Sequence, residues 1–292
     1  MIKGNTAWVW WFTRQRASLG RASVRGQKRM EVVTGGALLI LLLLFSWVGP
    51  LIYTHKPLAI HVHQILTPPD LRFPLGTDAL GRDVLARLMR GGQTTLLISF
   101  AAAAIGLAFG MIYGLAAGIG GALWDRTLMR LLDAILAVPT LVLMIFFAAL
   151  VPLNNTSLTW LLGLVSWPAI ARLIRNEARS AREHDYIHAA RQFGASPFYI
   201  ARVHLLRAML PAIVVNATFL VADMILGLSG LSFLGLGIQP PHASWGGLLN
   251  SGAGLVIIGS WWLIAAPGLA IFAAIFAMNL LGQGLLKRRD PR

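Results

Sequence analysis

The sequence predicts an all-α integral membrane protein with about six transmembrane helices and both termini in the cytoplasm. Three observations predict it. Of 292 residues, 57% are hydrophobic and 12% charged, about half the charged share of a soluble domain. The apolar residues are gathered into uncharged runs. No acid or base occurs between Glu31 and Lys56, between Arg90 and Asp125, or between Asp133 and Arg172, and from Ala208 to Leu286 the only charge is Asp223. A bilayer core needs about 20 apolar residues in a helix, and several runs hold one or two such lengths. The bases, finally, are unevenly spread. Seven Lys/Arg precede the first run, seven Arg lie between Arg172 and Arg207, and four crowd the C-terminus. The positive-inside rule puts such segments in the cytoplasm, against the anionic leaflet.

The elements follow in order. Residues 1–31 form a basic cytoplasmic N-terminus, and helix 1 spans 32–53. That run is too long for a signal-peptide core, so it reads as a retained anchor. An external segment, 54–92, contains the turn-rich Thr67-Pro68-Pro69-Asp70 and closes with a charged amphipathic piece, Asp83 to Arg90. Helix 2 runs from Thr94 to Ile119 and carries Gly106, Gly110, Gly114 and Gly118. Four glycines at i, i+4 draw a smooth ridge, which in lipid lets a neighbouring helix approach closely. Helix 3 is expected over Leu128–Val151, followed by the breaker Pro152 to Ser157, and helix 4 over Leu158–Ile174. A basic cytoplasmic segment, 176–207, leads to helix 5 (Pro211–Leu234). The stretch from Gly237 to Gly246, with Pro240-Pro241, cannot lie within a spanning helix. Helix 6 runs over Leu255–Leu286, and 287–292 is a cytoplasmic tail. The transmembrane domain proper is 93–286.

Several chemistries are excluded. With no cysteine there is no disulfide, iron–sulfur site or thiol catalysis. None of the four lysines follows a glycine-rich phosphate-binding pattern, so ATP use would belong to a partner. The net charge of +14 tracks the cytoplasmic segments and forms no basic face with stacking aromatics, which argues against nucleic acid. His61-x-His63, with His55 nearby, lacks the further ligand a metal site needs. His184 and His188 are spaced i, i+4 but lack the glutamate of a metalloprotease. No catalytic or metal residue is assigned. Asp223 lies about 22 Å beyond Ala208 along helix 5. A lone intramembrane acid faces a translocation path or clamps neighbouring helices. An ion-driven secondary transporter would show paired interrupted helices in two halves. A membrane enzyme would need a catalytic pair that Asp223 alone does not make.

The segment from Ser180 to Leu210 is the most informative. Tyr186, Ala189, Ala190 and Phe193 fall at i, i+3, i+4 and i+7, one apolar face of a short helix. Gly194 ends it, and Ser196-Pro197 restarts a helix as N-cap and N1. A face too short to span must bury itself against headgroups or another protein.

His188-Ala189-Ala190-Arg191-Gln192-Phe193-Gly194, then His204-Leu205-Leu206-Arg207, resembles the cytoplasmic loop of binding-protein-dependent ABC importer permeases, with His188 at the usual glutamate and Arg207 at the usual proline. Gly76-Thr77-Asp78-Ala79-Leu80-Gly81-Arg82-Asp83 resembles an external motif of the second permease of peptide and nickel importers. Leu231-Ser232-Phe233-Leu234-Gly235-Leu236-Gly237, Ser244-Trp245-Gly246 and Asn279-Leu280-Leu281-Gly282-Gln283 are similar to further motifs of that subfamily, with Gln283 where aspartate is usual and Leu228 where an acid commonly stands. The resemblance covers residues 30 to 292. It implies a type I importer permease fold in a bacterial inner membrane. It implies as partners a homologous second permease, two cytoplasmic ATP-binding subunits that hold ATP and Mg, and an external substrate-binding protein. The chain itself would bind no cofactor, and Tyr186, His188, Ala189, Ala190, Phe193 and Gly194 would form the helix that couples it to the ATPases.

Overall fold

The computed structural model describes residues 30–151 and 154–289. The basic N-terminus before Met30, Pro152-Leu153 and the last three residues of the tail lie outside the described residues. Five described helices are long and apolar enough to cross a membrane, and a bent pair makes a sixth if it counts as one span.

Helix α1 (Met30–Ile52) is apolar almost throughout and lies along the last helix. Gly35 faces the backbone of Ala277 and Leu281 there, and Glu31 pairs with Lys287. Helix α2 (Val84–Ile119) is 36 residues long, about 54 Å at 1.5 Å per residue, well beyond a hydrocarbon core of about 30 Å. The amphipathic piece expected before helix 2 is therefore its first turns. Asp83 starts the helix, its Oδ1 accepting from the backbone N–H of Leu85 (2.8 Å) and Ala86 (3.1 Å), which satisfies donors left free at a helix start. The segment outside the helices thus ends at Asp83, shorter than the expected 54–92.

The expected helix 3 is broken. Helix α3 (Ala122–Leu136) and helix α4 (Thr140–Leu150) meet at 78°. Pro139 stands at the break with an extended ψ of 130°; it has no N–H for the ladder and its ring clashes with the preceding turn. Helix α5 (Asn155–Arg182) starts with a reciprocal cap between Asn154 and Ser157 and runs eight residues past the expected Ile174. Its basic residues extend the helix because they find partners on the bundle. Arg175 makes paired bonds to Asp125 (2.7 and 2.5 Å), Arg172 pairs with Asp133, and Arg182 donates to the Gly118 carbonyl (2.6 Å). These bonds strap α3 and the end of α2 to α5.

Helix α6 (Asp185–Gln192) is the short helix. A turn at Pro197–Tyr199 and a wide π turn at Ile200–Leu205 lead into one long helix, α7 (Ile200–Phe233). Only 183–199 stands apart from the long helices; the rest of the expected segment 176–207 belongs to α5 and α7. Helix α8 (Trp245–Ala253) folds back onto α7 and α9. Helix α9 (Trp262–Arg289) begins seven residues after the expected Leu255, because Gly259 takes φ +90° and breaks the apolar run.

The core follows the meeting of α2, α5, α7 and α9, with Leu96, Leu162, Ile225, Leu228 and Ala274 buried. Gly106, Gly110, Gly114 and Gly118 face α5, against Gly163, Trp167, Ala171 and Ala178 respectively. A β-carbon on Gly110 would come within 2.7 Å of Ile170 Cβ, and one on Gly118 within 2.8 Å of Ala178 Cβ.

Candidate functional site

Two constellations stand at opposite ends of the bundle. At the end where α1 finishes and α2 begins, the Gly-Thr-Asp segment forms a polar hub. The Thr77 hydroxyl donates to the Gln64 carbonyl (2.5 Å) and accepts from the Thr67 N–H (2.9 Å), while the Thr77 carbonyl accepts from Trp262 Nε1 (3.2 Å). Asp78, buried, accepts from Arg82 Nε (2.8 Å), from its backbone N–H (3.0 Å) and from Arg87 Nη1. Asp83 Oδ2 accepts from the Tyr53 hydroxyl (2.5 Å) and bonds His55 Nδ1 (2.7 Å). Burial, then the neighbouring Asp83 carboxylate, hold the Tyr53 phenol above its ordinary pKa. Gly76 and Gly81 sit at φ +69° and +71°, where a side chain is strained. At Gly81 a β-carbon would also overlap the His61 carbonyl.

The hub therefore ties α1, α2 and α9 together through six residues close in sequence, and His55 and His61 are absorbed into it, His61 Nδ1 bonding the Gly81 carbonyl (3.1 Å). Among the described residues no group of three or more His, Cys, Asp or Glu is placed to hold a metal. Trp245, fully buried, adds a second tie: its backbone N–H donates to Thr95 Oγ1 (3.1 Å) and its Nε1 to the Leu88 carbonyl (3.0 Å).

At the other end, α6 hangs below the long helices. Ile187 is 0% exposed and anchors it, while Tyr186 is 46% and Phe193 91% exposed. Ala189 is exposed and Ala190 half-buried, and His188 is exposed beside them. Of the expected apolar face, Ala189 and Phe193 thus point away from the chain. The Ala195 N–H closes on the Ala190 carbonyl (3.0 Å) and Gly194 takes φ +81°, the geometry of a glycine-terminated helix. The Ser196 hydroxyl then accepts from the Tyr199 N–H (3.2 Å), starting the next helix as its spacing predicts. The Tyr186 ring lies 5.9 Å from that of His204 in the π turn, which fixes α6 on the foot of α7.

Asp223 lies on the outward side of α7, exposed, between buried Ala222 and Met224. It does not clamp two helices of this chain: no hydrogen bond or ion pair to it is found among the described residues.

Residues 106–292 match the family described as binding-protein-dependent transport system inner membrane component. The chain belongs to this family. It is 34% identical over 260 residues to a probable D,D-dipeptide transport system permease protein of Escherichia coli (strain K12), covering 89% of this chain and 87% of that protein. It is 37% identical to a putative peptide transport system permease protein of Brucella suis biovar 1 (strain 1330), covering 92% and 90%. It is 33% identical to a dipeptide transport system permease protein of Bacillus subtilis (strain 168), covering 92% and 84%. As an inner membrane component of such a system, the chain is a non-catalytic, transmembrane permease subunit of a binding-protein-dependent importer. A permease of this kind works with a substrate-binding protein and ATPase subunits.

Sequence reasoning missed Ile187, which anchors the short helix, because it read only the face that points outward. It missed Trp245 and Trp262 as ties, since their partners lie 150 residues or more away in the chain.

Proposed function

We propose that the permease forms half of a translocation pathway for short peptides, the cargo named for its relatives, beside a homologous second permease. Two cytoplasmic subunits bind ATP and Mg and dock on α6, and an external binding protein delivers the solute to the end that carries the hub. In this orientation the arginine-rich end faces the cytoplasm, as the charge bias asks. Asp223 faces the pathway between the two permeases, where a carboxylate in lipid would find water or a partner.

The observation that carries the reading is the split within α6: Ile187 is sealed against the chain while Phe193 projects nine-tenths exposed. A soluble-facing aromatic on a rigid short helix suits a partner pocket, where aromatic anchors dominate binding. Ala190→Glu places a charge beside that face, and Gly194→Val forces a β-branched residue to φ +81°. Both variants insert normally, because no spanning helix is touched. Co-purification with the ATPase subunits, scored with ATP-dependent uptake in proteoliposomes, is expected to fall by tenfold or more for each. Full association and full uptake in either variant would remove α6 from the coupling path.

A further inference from the structure

A cavity opens beside the hub. It has a volume of about 750 Å³ and opens between the end of α1, the first turns of α2, the start of α5 and the Pro241–Ala243 loop. That is room for a solute of a few hundred daltons. Its walls are mostly apolar, with Trp47 and Trp160 facing it, and the formal charges on its lining, Arg87 and Arg90, are both positive. Arg87, Arg90 and His242 line it, together with Gln93 and Thr159, and no acid is found among its described lining residues.

The charges nearby do not cancel. Arg82 and Arg87 share the single carboxylate of Asp78. Arg87 is 5% exposed, and its Nε, buried, has no hydrogen-bond partner among the described residues. Among the described residues the side chain of Arg90, one turn further, bonds only the neutral amide of Gln93 (2.6 Å). At the wall itself Arg87 shares its carboxylate with Arg82, and Arg90 has no carboxylate partner among the described residues, which leaves an unneutralised guanidinium facing a largely apolar cavity. There a charge is screened far less than in water, and a guanidinium fork matches a carboxylate in two parallel bonds.

We infer that this cavity is a carboxylate-binding subsite of the permease, which takes the free carboxyl terminus of a short peptide on Arg90 and Arg87 with its body against Trp47 and Trp160. The inference rests on the importer reading above, in which this end faces the incoming solute.

The test uses the full transporter, permease with its partner subunits, in nanodiscs without the binding protein. Equilibrium binding of tritiated dialanine and trialanine is compared with that of their C-terminal amides. The free acids are expected to bind at least tenfold more tightly than the amides. Arg90→Gln is expected to bring the acids to the level of the amides, and Arg90→Lys to restore part of the difference; Arg90 is exposed, so folding is not at stake. Equal binding of acid and amide, no measurable binding of the acids, or an unchanged Arg90→Gln overturns the subsite. So does native mass spectrometry that finds an anionic phospholipid on the wild type and lost from Arg90→Gln, which makes the cavity a lipid site. Absence of ATP-dependent uptake in wild-type proteoliposomes would instead sink the importer reading and leave the binding measurement standing.

Discussion

Asp78 pairs with two arginines, one of them buried, so the cost of losing its charge is set by Arg87 more than by the exposed parts of the hub. Removing one partner of a buried pair costs about 3–5 kcal/mol. Asp78→Asn is therefore expected to lower the melting temperature of the purified permease markedly, and adding Arg87→Met should recover part of the loss. If Asp78→Asn melts with the wild type, the pair contributes nothing to stability. Tyr53 adds a pH dependence whose sign follows from its raised phenol pKa. Below the ordinary phenol value of about 10 both folded and unfolded chains keep the proton, and the stabilisation is whole. Above it the unfolded chain releases the proton first, so stability falls as pH rises. Thermal melts from pH 9 to 11 should show a steeper loss for wild type than for Tyr53→Phe. None of this was legible in the sequence, where the Gly-Thr-Asp run stood out only as a family likeness. Its bonds reach Tyr53, Gln64 and Trp262, and spacing along a chain says nothing of partners brought from other segments.

At the scale of elements, the ridge of Gly106, Gly110, Gly114 and Gly118 was legible because i, i+4 spacing is itself a statement about one helix face. The structure places α5 backbone against it. Gly110→Leu would drive a side chain into Ile170 and the Trp167 carbonyl, and close packing is what holds helices together in lipid. The variant is expected to insert but to be degraded or to aggregate in mild detergent, while Gly121→Leu, with open space around it, behaves as wild type; size-exclusion profiles separate the two. The break at Pro139 was not read, although the proline was in view, because a hydropathy run counts apolar residues whether or not they are helical. The same blindness placed the start of the last helix at Leu255. A continuous apolar stretch fixes how much chain suits the bilayer, and leaves the backbone direction within it to prolines, glycines and ion pairs.

For the whole molecule, the number of spans was legible from charge-free runs, and the pairing of ends follows from the packing. The hub and the Trp245 loop share one end, and the short helix, Asp125 and Arg182 share the other. With no native cysteine, single cysteines report sidedness cleanly. His242→Cys is expected to react with a membrane-impermeant maleimide only from outside intact cells, and Ser180→Cys only after permeabilisation. Labelling of position 242 solely from the cytoplasm would invert the arrangement. Helix α7 joins these ends without a loop. It spans 34 residues, about 51 Å. Its foot carries the aromatic contact to α6, and at its head the Asn250 amide donates to the Phe233 carbonyl (2.5 Å), beside the loop whose Pro241 and His242 wall the cavity. The geometry of such a rod is that of a lever. A tilt of about 5° pivoting at the foot would carry the head about 4 Å along its arc for a rod of this rise and length. If the ATPase subunits rock α6 as proposed above, a displacement of that size, comparable to the width of a peptide backbone, would reach the mouth of the cavity.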